Sequence, residues 1–212
     1  MRVLDLHCGR FYGILDLGYV PPAEARRVAQ EMIAGGVDLI QLRAKDWEPA
    51  RILTLAADLH HTTAAADIPL IINDHAEIAR QIGAEGVHVG QDDQSVAWVR
   101  EIAGGSCFVG KSTHSVQQAK IAVTEGADYI GFGPLFATPT KPDYVPIGLG
   151  DIREVHSAVP LPIFCIGGIK LHNLPQVLAA GADRVVIVSE MLQAPDIPLY
   201  IHSVRQLLNQ HS

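Results

Sequence analysis

The feature that most restricts the fold is a regular alternation of short β-branched runs with longer amphipathic segments along the 212-residue chain. Apolar runs bounded by glycine, proline or charged residues predict buried strands, and apolar residues at helical spacing predict helices between them. The predicted strands are Phe11–Asp16, Leu39–Arg43, Leu70–Asn73, Gly86–Val89, Phe108–Ser112, Tyr129–Gly133, Ile163–Ile166 and Arg184–Val188. The predicted helices include Ala23–Ala34, Pro49–Ala65, Val116–Glu125, Ile152–Ala158 and Leu199–Leu208. Eight strand–helix units in succession predict parallel strands that close into a single α/β (β/α)8 TIM-barrel domain over residues 1–212.

A short internal repeat supports the barrel. Gly36–Ile40, Gly126–Ile130 and Gly181–Val185 share one Gly-x-Asp pattern, and Gly83–Val87 is a looser copy. A glycine suits the left-handed residue that ends a helix, and the β-branched residues then begin a strand. We interpret the repeat as structural, at the end of the barrel away from the site.

Composition excludes several classes of protein. The chain is 48% apolar and 18% charged, which suits a large buried core, and its net charge of −7 does not suit a nucleic-acid binder. No run approaches the ~20 apolar residues of a membrane span, and the N-terminus has no apolar signal region. The three cysteines, Cys8, Cys107 and Cys165, have no metal-type spacing. We therefore expect a cytoplasmic protein in which Cys107 and Cys165 are packed in the core.

Polar residues cluster where the predicted strands end, which is where barrels of this type place their sites. The long segment from Pro134 to Gly148 has the length of a binding loop or lid. The polar residues and glycines at the strand ends are Gln41, Arg43, Lys45, Asn73, Asp74, Asp92, Asp93, Ser112, Thr138, Thr140, Lys141, Gly167, Gly168 and Ser189.

Two of these side chains suggest a metal. Asp74 and Asp93 follow neighbouring strands, so their carboxylates are expected to face one another and to bind a hard cation such as Mg²⁺. The alternative is that each carboxylate caps the helix that follows it.

A basic pair suggests a diphosphate. Strand alternation places Gln41, Arg43 and Lys45 on one face, if the strand extends that far, and inward-facing cations need anionic partners. The alternative is an ion pair within the chain, to Asp46 or Glu48.

A second anion site is expected after the seventh and eighth strands. Gly167 and Gly168 would let backbone amides approach a phosphate, and Ser189 follows the eighth strand. The loop Thr138–Lys141 adds two hydroxyl groups and an ammonium group. A diphosphate site beside a monophosphate site suggests a reaction that joins the two substrates.

Six motifs in a fixed order resemble the thiamine-phosphate synthase family, also called thiamine-phosphate pyrophosphorylase. The motifs, which span most of the chain, are Gln41–Lys45, Ile71–Asp74, Gly86–Asp93, Gly110–His114, Thr138–Asp143 and Ile166–Ile169. The resemblance implies condensation of hydroxymethylpyrimidine diphosphate with a thiazole phosphate, which releases pyrophosphate. It implies that Asp74 and Asp93 hold Mg²⁺ and that Arg43, Lys45 and Ser112 are catalytic.

The resemblance also divides the other residues between the two substrates. For the pyrimidine diphosphate it implies Gln41, Leu42, Arg43, Ala44, Lys45, Asn73, Ser112 and Lys141. For the thiazole phosphate it implies Thr138, Pro139, Thr140, Gly167, Gly168, Val188 and Ser189.

The expected mechanism is electrostatic, with Mg²⁺ and cations stabilising the departing pyrophosphate and no general base. His88 is interpreted as a core histidine with satisfied hydrogen bonds. His75 and His114 lie in loops where they could touch a ligand. Lys111 would add charge to the site only if it points into the barrel mouth.

Three alternatives remain open from sequence. A thiazole tautomerase-like isomerase would need neither Lys45 nor Asp93, both of which are present. A non-catalytic thiamine-phosphate-binding paralogue would be expected to lose some of the polar residues. A generic phosphate-binding barrel isomerase would not explain Asp74 together with Asp93. We expect small phosphorylated substrates as partners, neither nucleic acid nor membrane, and a possible homo-oligomer.

Overall fold

Eight parallel strands pair in chain order and close on themselves, with the eighth beside the first, so the predicted TIM barrel is confirmed. The protein is seen in a computed structural model that describes residues 6, 8–138, 140 and 145–211. The strands are β1 (Phe11–Asp16), β2 (Leu39–Arg43), β3 (Leu70–Asn73), β4 (Gly86–Val89), β5 (Phe108–Thr113), β6 (Tyr129–Phe132), β7 (Ile163–Cys165) and β8 (Val185–Ile187).

Helices surround the barrel, and the last of them packs against the first. The helices are α1 (Ala25–Gly35), α2 (Pro49–Ala64), α3 (Ala76–Ile82), α4 (Val96–Ala103), α5 (Val116–Glu125), α6 (Ile152–Ala158), α7 (Leu174–Ala179), α8 (Ser189–Leu192) and α9 (Ile197–Gln210). A 3-10 turn over Pro22–Glu24 precedes α1, so the predicted start at Ala23 was early. Helix α8 is a short extra helix between β8 and α9.

The predicted sixth, seventh and eighth strands were one or two residues too long. Strand β7 ends at Cys165 because the Ile166 carbonyl accepts the amide of Leu135, 2.9 Å away, from the loop after β6. That loop therefore docks on the end of β7.

Strand alternation divides the core into two layers. Outward-facing residues pack against the helices, whereas the inward-facing residues form a separate cluster inside the barrel. The inner cluster contains Tyr12, Tyr129 and Phe164, whose rings meet edge to face with centroids 5.3–6.0 Å apart. Cys107 and Cys165 are buried as expected, and burial raises the pKa of Cys165 to about 12.

The repeated Gly-x-Asp segments have a structural role. Helices α1 and α5 end at Gly36 and Gly126 in the left-handed conformation. The following acid accepts backbone amides from the start of the preceding strand: Asp38 accepts from Phe11 at 2.9 Å, and Asp128 accepts from Val109 at 2.7 Å. These two copies of the repeat thus tie β1 to β2 and β5 to β6 at the end away from the site.

A glycine on β5 makes room inside the barrel. A Cβ on Gly110 would collide with the Tyr129 ring and the His88 imidazole, both of which are buried. We expect Gly110→Ala to lower the free energy of unfolding by ~1–3 kcal/mol, the usual cost of overpacking a core, as measured by urea denaturation. Gly105→Ala is the matched control because a Cβ there meets nothing within 4 Å. Equal stability of the two variants would contradict this account of the interior.

Candidate active site

A cavity opens at the carboxyl ends of the strands, and residues of all eight strands line it. Strand residues Tyr12, Phe164 and Val186 form part of its inner wall. The predicted site residues that line it are Gln41, Arg43, Asn73, Ser112, Thr138, Thr140, Gly167, Gly168, Val188 and Ser189. Two further predicted residues, Pro139 and Lys141, lie outside the described residues.

Two predicted residues of the first motif, Gln41–Lys45, have side chains that face away from the cavity. Leu42 and Ala44 are buried among the residues that pack against the helices. Their side chains therefore do not reach a ligand in the mouth, and only their backbone is available for binding. Lys45 lies beyond the end of β2, and its side chain is about half exposed.

An aspartate that the sequence analysis did not select holds Arg43. The Arg43 guanidinium donates to the Asp16 carboxylate over 2.7 Å, between the paired last residues of β1 and β2. Asp16 is 2% exposed and also accepts the Gly18 amide at 2.8 Å. The alternative pairing of Arg43 with Asp46 or Glu48 is wrong, because the partner comes from the neighbouring strand. Asp16 fixes one side of the guanidinium and leaves its other N–H groups to face an anion.

The two candidate metal ligands do approach one another. Burial raises the pKa of Asp74, and the nearby Asp93 carboxylate raises it further, while the charge of Lys45 opposes the rise. The Lys45 ammonium lies 3.7 Å from the Asp74 carboxylate, and Asn73 donates to the same oxygen over 2.6 Å.

The capping alternative for these carboxylates is wrong. The N-cap residue of α3 is His75, and the N-cap residue of α4 is Ser95, whose hydroxyl accepts the Trp98 amide. Asp74 instead takes a left-handed backbone conformation, φ 65°, at the end of β3. Asp93 accepts the Gly90 amide at 2.7 Å within its own turn.

This pair of carboxylates suits a hard cation. Two neighbouring carboxylates repel unless a proton or cation lies between them, and oxygen ligands favour Mg²⁺. Among the residues that the structure describes, no group of three or more His, Cys, Asp or Glu side chains could hold a metal. Two protein ligands fit an ion that takes the rest of its coordination from water and substrate phosphates.

Ser112 reaches the cavity from β5 and is held from behind by a histidine. Its hydroxyl lies 2.9 Å from His88 Nε2, and His88 Nδ1 lies 3.2 Å from the Tyr129 hydroxyl. The interpretation of His88 as a hydrogen-bonded core histidine is confirmed. Because Ser112 faces inward, the adjacent Lys111 faces the helix layer, where it is buried, and adds no charge to the mouth.

The glycines after β7 serve the long loop as well as any ligand. Gly167 and Gly168 have φ of 97° and 65°, which favour glycine. A Cβ on Gly168 would lie 2.6 Å from the Ala137 carbonyl oxygen, and Phe136 donates its amide to the Gly167 carbonyl at 3.0 Å. Ser189 begins α8, the short extra helix that commonly completes a phosphate site in this fold.

Two contacts link other loops across the mouth. The Tyr19 hydroxyl, from the loop after β1, lies 3.1 Å from the Thr140 hydroxyl of the long loop. His114 lines the cavity and hydrogen-bonds through Nδ1 to the Gly133 carbonyl, which fixes its ring. His75, in contrast, is the N-cap residue that precedes α3.

The structure adds Asp16, Tyr12, Tyr19 and Tyr129 to the residues that build the site. The position of Asp16 at the end of a predicted strand was the one signal available in the sequence. The tyrosines have no motif of their own, and only the barrel places them beside Gln41, His88 and Thr140.

By fold and by the placement of its cavity, the protein belongs to the (β/α)8 barrels that carry a polar site at the carboxyl ends of the strands. More narrowly, it belongs to the thiamine monophosphate synthase family, whose family model matches residues 11–191. It is 43% identical over 189 residues to a thiamine-phosphate synthase of Halalkalibacterium halodurans, covering 89% of this chain and 90% of the relative. It is 39% identical over 210 residues to a thiamine-phosphate synthase of Chloroflexus aurantiacus, covering 99% and 97%.

A solved structure agrees with this assignment. The thiamine phosphate pyrophosphorylase of Pyrococcus furiosus superposes with a TM-score of 0.87 at 28% identity, covering 95% of this chain and 96% of the other. In the part of the chain that the structure describes, no helix is long and apolar enough to cross a membrane.

The contribution of the Asp16–Arg43 ion pair to stability can be tested by removing the charge of Asp16. Asp16→Asn keeps the acceptor for the Gly18 amide but removes the charge that pairs with Arg43. We expect a loss of ~1–3 kcal/mol in the free energy of unfolding, less than for a fully buried pair because Arg43 retains some contact with water. The control is Asp58→Asn, which breaks the exposed pair with Arg26 and should cost ~1 kcal/mol or less. Chemical denaturation of the two variants measures both losses in the free energy of unfolding. Equal losses would count against a structural role for Asp16.

Proposed function

We propose that this chain is a thiamine-phosphate synthase, a transferase that moves a pyrimidinylmethyl group. It would condense 4-amino-2-methyl-5-hydroxymethylpyrimidine diphosphate with 4-methyl-5-(2-phosphoethyl)thiazole, or its carboxylated form, to give thiamine phosphate and pyrophosphate. One observation carries the proposal beyond family membership. A single mouth combines Arg43 and Lys45, an acidic pair, and the glycine loop with the short helix α8.

The diphosphate belongs in the half of the mouth built by β2 to β5. Arg43 offers the N–H groups that Asp16 leaves for a ligand, and Lys45 supplies a second positive charge at the rim. Gln41, Asn73 and Ser112 add polar contacts to this substrate. The family resemblance suggests that Lys141 also contacts it. Asp74 and Asp93 would hold the Mg²⁺, with Leu42 and Ala44 offering only their backbone.

The thiazole phosphate belongs in the half built by β6 to β8. Gly167 and Gly168 bring the loop after β7 against the long loop, which carries Thr138, Pro139 and Thr140. Val188 and Ser189, which follow β8, close this half, and the start of α8 provides backbone N–H groups near an anion. The two phosphates therefore lie on opposite sides of one cavity, with the reacting atoms between them.

The proposed reaction is a displacement in which charge leaves with the pyrophosphate. The exocyclic C–O bond of the pyrimidine breaks, and the bonding electron pair departs on the pyrophosphate oxygen. The resulting carbocation is stabilised by the pyrimidine ring. Arg43, Lys45 and the Ser112 hydroxyl stabilise the departing negative charge, and a bound Mg²⁺ would neutralise more of it as a Lewis acid. The thiazole nitrogen then donates its lone pair to the carbon. Because that nitrogen carries no proton, no general base is needed.

The decisive test is a product assay with both phosphorylated substrates and Mg²⁺. We expect thiamine phosphate and pyrophosphate in equal amounts, as measured by chromatography and a coupled pyrophosphate assay. Each substrate alone should give neither product. Isomerisation of a thiazole phosphate without condensation would instead identify a tautomerase and overturn the proposal. Binding without any turnover would identify a non-catalytic paralogue.

The metal assignment makes a separate prediction. Asp93→Ala should reduce Mg²⁺-dependent turnover by roughly 100-fold or more, because a Lewis acid at the leaving group is worth several kcal/mol. We expect the variant to fold, because Asp93 is exposed. A thermal melt of the variant would check that it is folded. Asp92→Ala is the matched control, with the same change one exposed position away. Unchanged turnover and Mg²⁺ dependence in Asp93→Ala would remove Asp93 from the metal site.

A further inference from the structure

A continuous chain of hydrogen bonds runs through the barrel interior from Ser112 to Gln41. Ser112 Oγ lies 2.9 Å from His88 Nε2, and His88 Nδ1 lies 3.2 Å from the Tyr129 hydroxyl. The Tyr129 hydroxyl lies 3.1 Å from that of Tyr12, which accepts the Gln41 side-chain amide at 2.6 Å. The five residues come from five different strands, so the chain exists only in the closed barrel.

The direction of this chain follows from counting protons. The Gln41 amide group donates to Tyr12, so the Tyr12 hydroxyl is left to donate its own proton to Tyr129. Tyr129 then donates to His88 Nδ1, because its hydroxyl has already accepted from Tyr12. A neutral histidine that accepts at Nδ1 carries its proton on Nε2, and this proton goes to Ser112 Oγ. The Ser112 hydroxyl proton is thereby left to point into the cavity.

The opposite direction would give the site the wrong polarity. If His88 accepted at Nε2, Ser112 would donate its proton backward and present only lone pairs to the mouth. An anion would then meet a second acceptor and be repelled. The amide nitrogen of Gln41 at the far end selects the first direction.

The surroundings keep both phenols in their donor form and in place. Burial raises the pKa of Tyr12 and of Tyr129 above the usual value, so both keep their protons. Their rings pack edge to face on Phe164, and the lack of a side chain on Gly110 leaves room for the Tyr129–His88 bond. A chain held in this way costs little reorganisation when a ligand arrives.

We propose that Tyr12, Tyr129 and His88 are positioning residues that, anchored by the bond from Gln41, orient the Ser112 hydroxyl as a hydrogen-bond donor to a diphosphate in the mouth. This inference rests on the proposed function, because it takes Ser112 as a contact of the diphosphate. Tyr129 carries the inference best, since it is fully buried and can act on the ligand only through His88.

A double-mutant cycle on pyrophosphate binding tests the coupling. Titration calorimetry of the full chain with inorganic pyrophosphate and Mg²⁺ should show roughly tenfold weaker binding for Ser112→Ala and a similar or smaller loss for Tyr129→Phe. In the double variant, Tyr129→Phe should cause no further loss, because the donor that it orients is gone. Independent, multiplying losses overturn the proposal. Thr63→Val is the control, since it removes an equally buried hydroxyl from α2 and should leave binding unchanged.

If Tyr129→Phe does not fold, a second variant allows the same coupling to be measured. Tyr12→Phe cuts the chain one link further away, and its loss should be smaller, in the same direction, and absent in the Ser112→Ala background. Thermal melts of each variant separate loss of fold from loss of orientation. Full-strength binding by a folded Tyr12→Phe and a folded Tyr129→Phe overturns the proposal.

The state of His88 provides a readout that does not depend on turnover. Nitrogen-15 NMR of the imidazole should show a neutral ring protonated on Nε2 in the wild type and loss of that preference in Tyr129→Phe. Protonation on Nδ1 alone in the wild type overturns the proposed direction. If the wild type binds pyrophosphate with the predicted coupling but forms no thiamine phosphate, the proposed function fails while the positioning role stands. If the wild type does not bind pyrophosphate, both fail.

Discussion

Closure of the eight parallel strands is the constraint from which the rest of this structure follows. Alternate side chains of every strand point into the closed interior, so below the mouth each must pack or pair with another inward-facing residue. Tyr12, Tyr129 and Phe164 pack together in this interior, and Gly110 leaves space for the Tyr129 ring. The polar residues that remain hydrogen-bond to the tyrosine hydroxyl groups, Gln41 to Tyr12 and His88 to Tyr129. The same closure brings the carboxyl ends of all the strands to one mouth.

Charge is divided between the two sides of that mouth. On the side of β1 to β4, cations and carboxylates are placed close together. Arg43 is held by Asp16, and Lys45 lies near Asp74, which in turn faces Asp93. On the side of β6 to β8, glycine backbone and hydroxyl groups replace charged side chains among the described residues. The first arrangement suits a diphosphate with a metal ion and the second a monophosphate, which accords with the proposed condensation.

The sequence predicted most of the strands because periodicity and turn residues are local properties. Strands β1 to β4 have the predicted bounds. Errors occurred where a tertiary contact intervened, as at Ile166, whose carbonyl bonds to the loop after β6. The motifs also located most of the residues that line the cavity. They did not identify Asp16, because its partner Arg43 lies on another strand. The register between the two strands cannot be predicted from the sequence of either strand alone. They also counted Leu42 and Ala44 with the ligand contacts, although alternation turns their side chains toward the helices.

The sequence by itself therefore determined the class of fold, the family and the end of the barrel at which the site lies. These depend on hydrophobic spacing, on glycine positions and on the order of short motifs, all of which are read along one chain. Only the tertiary structure decided which side chains meet. Tyr12 and Tyr129 are 117 residues apart, yet their hydroxyls lie 3.1 Å from one another. Barrel closure and strand register set such contacts, and these depend on the packing of the whole molecule.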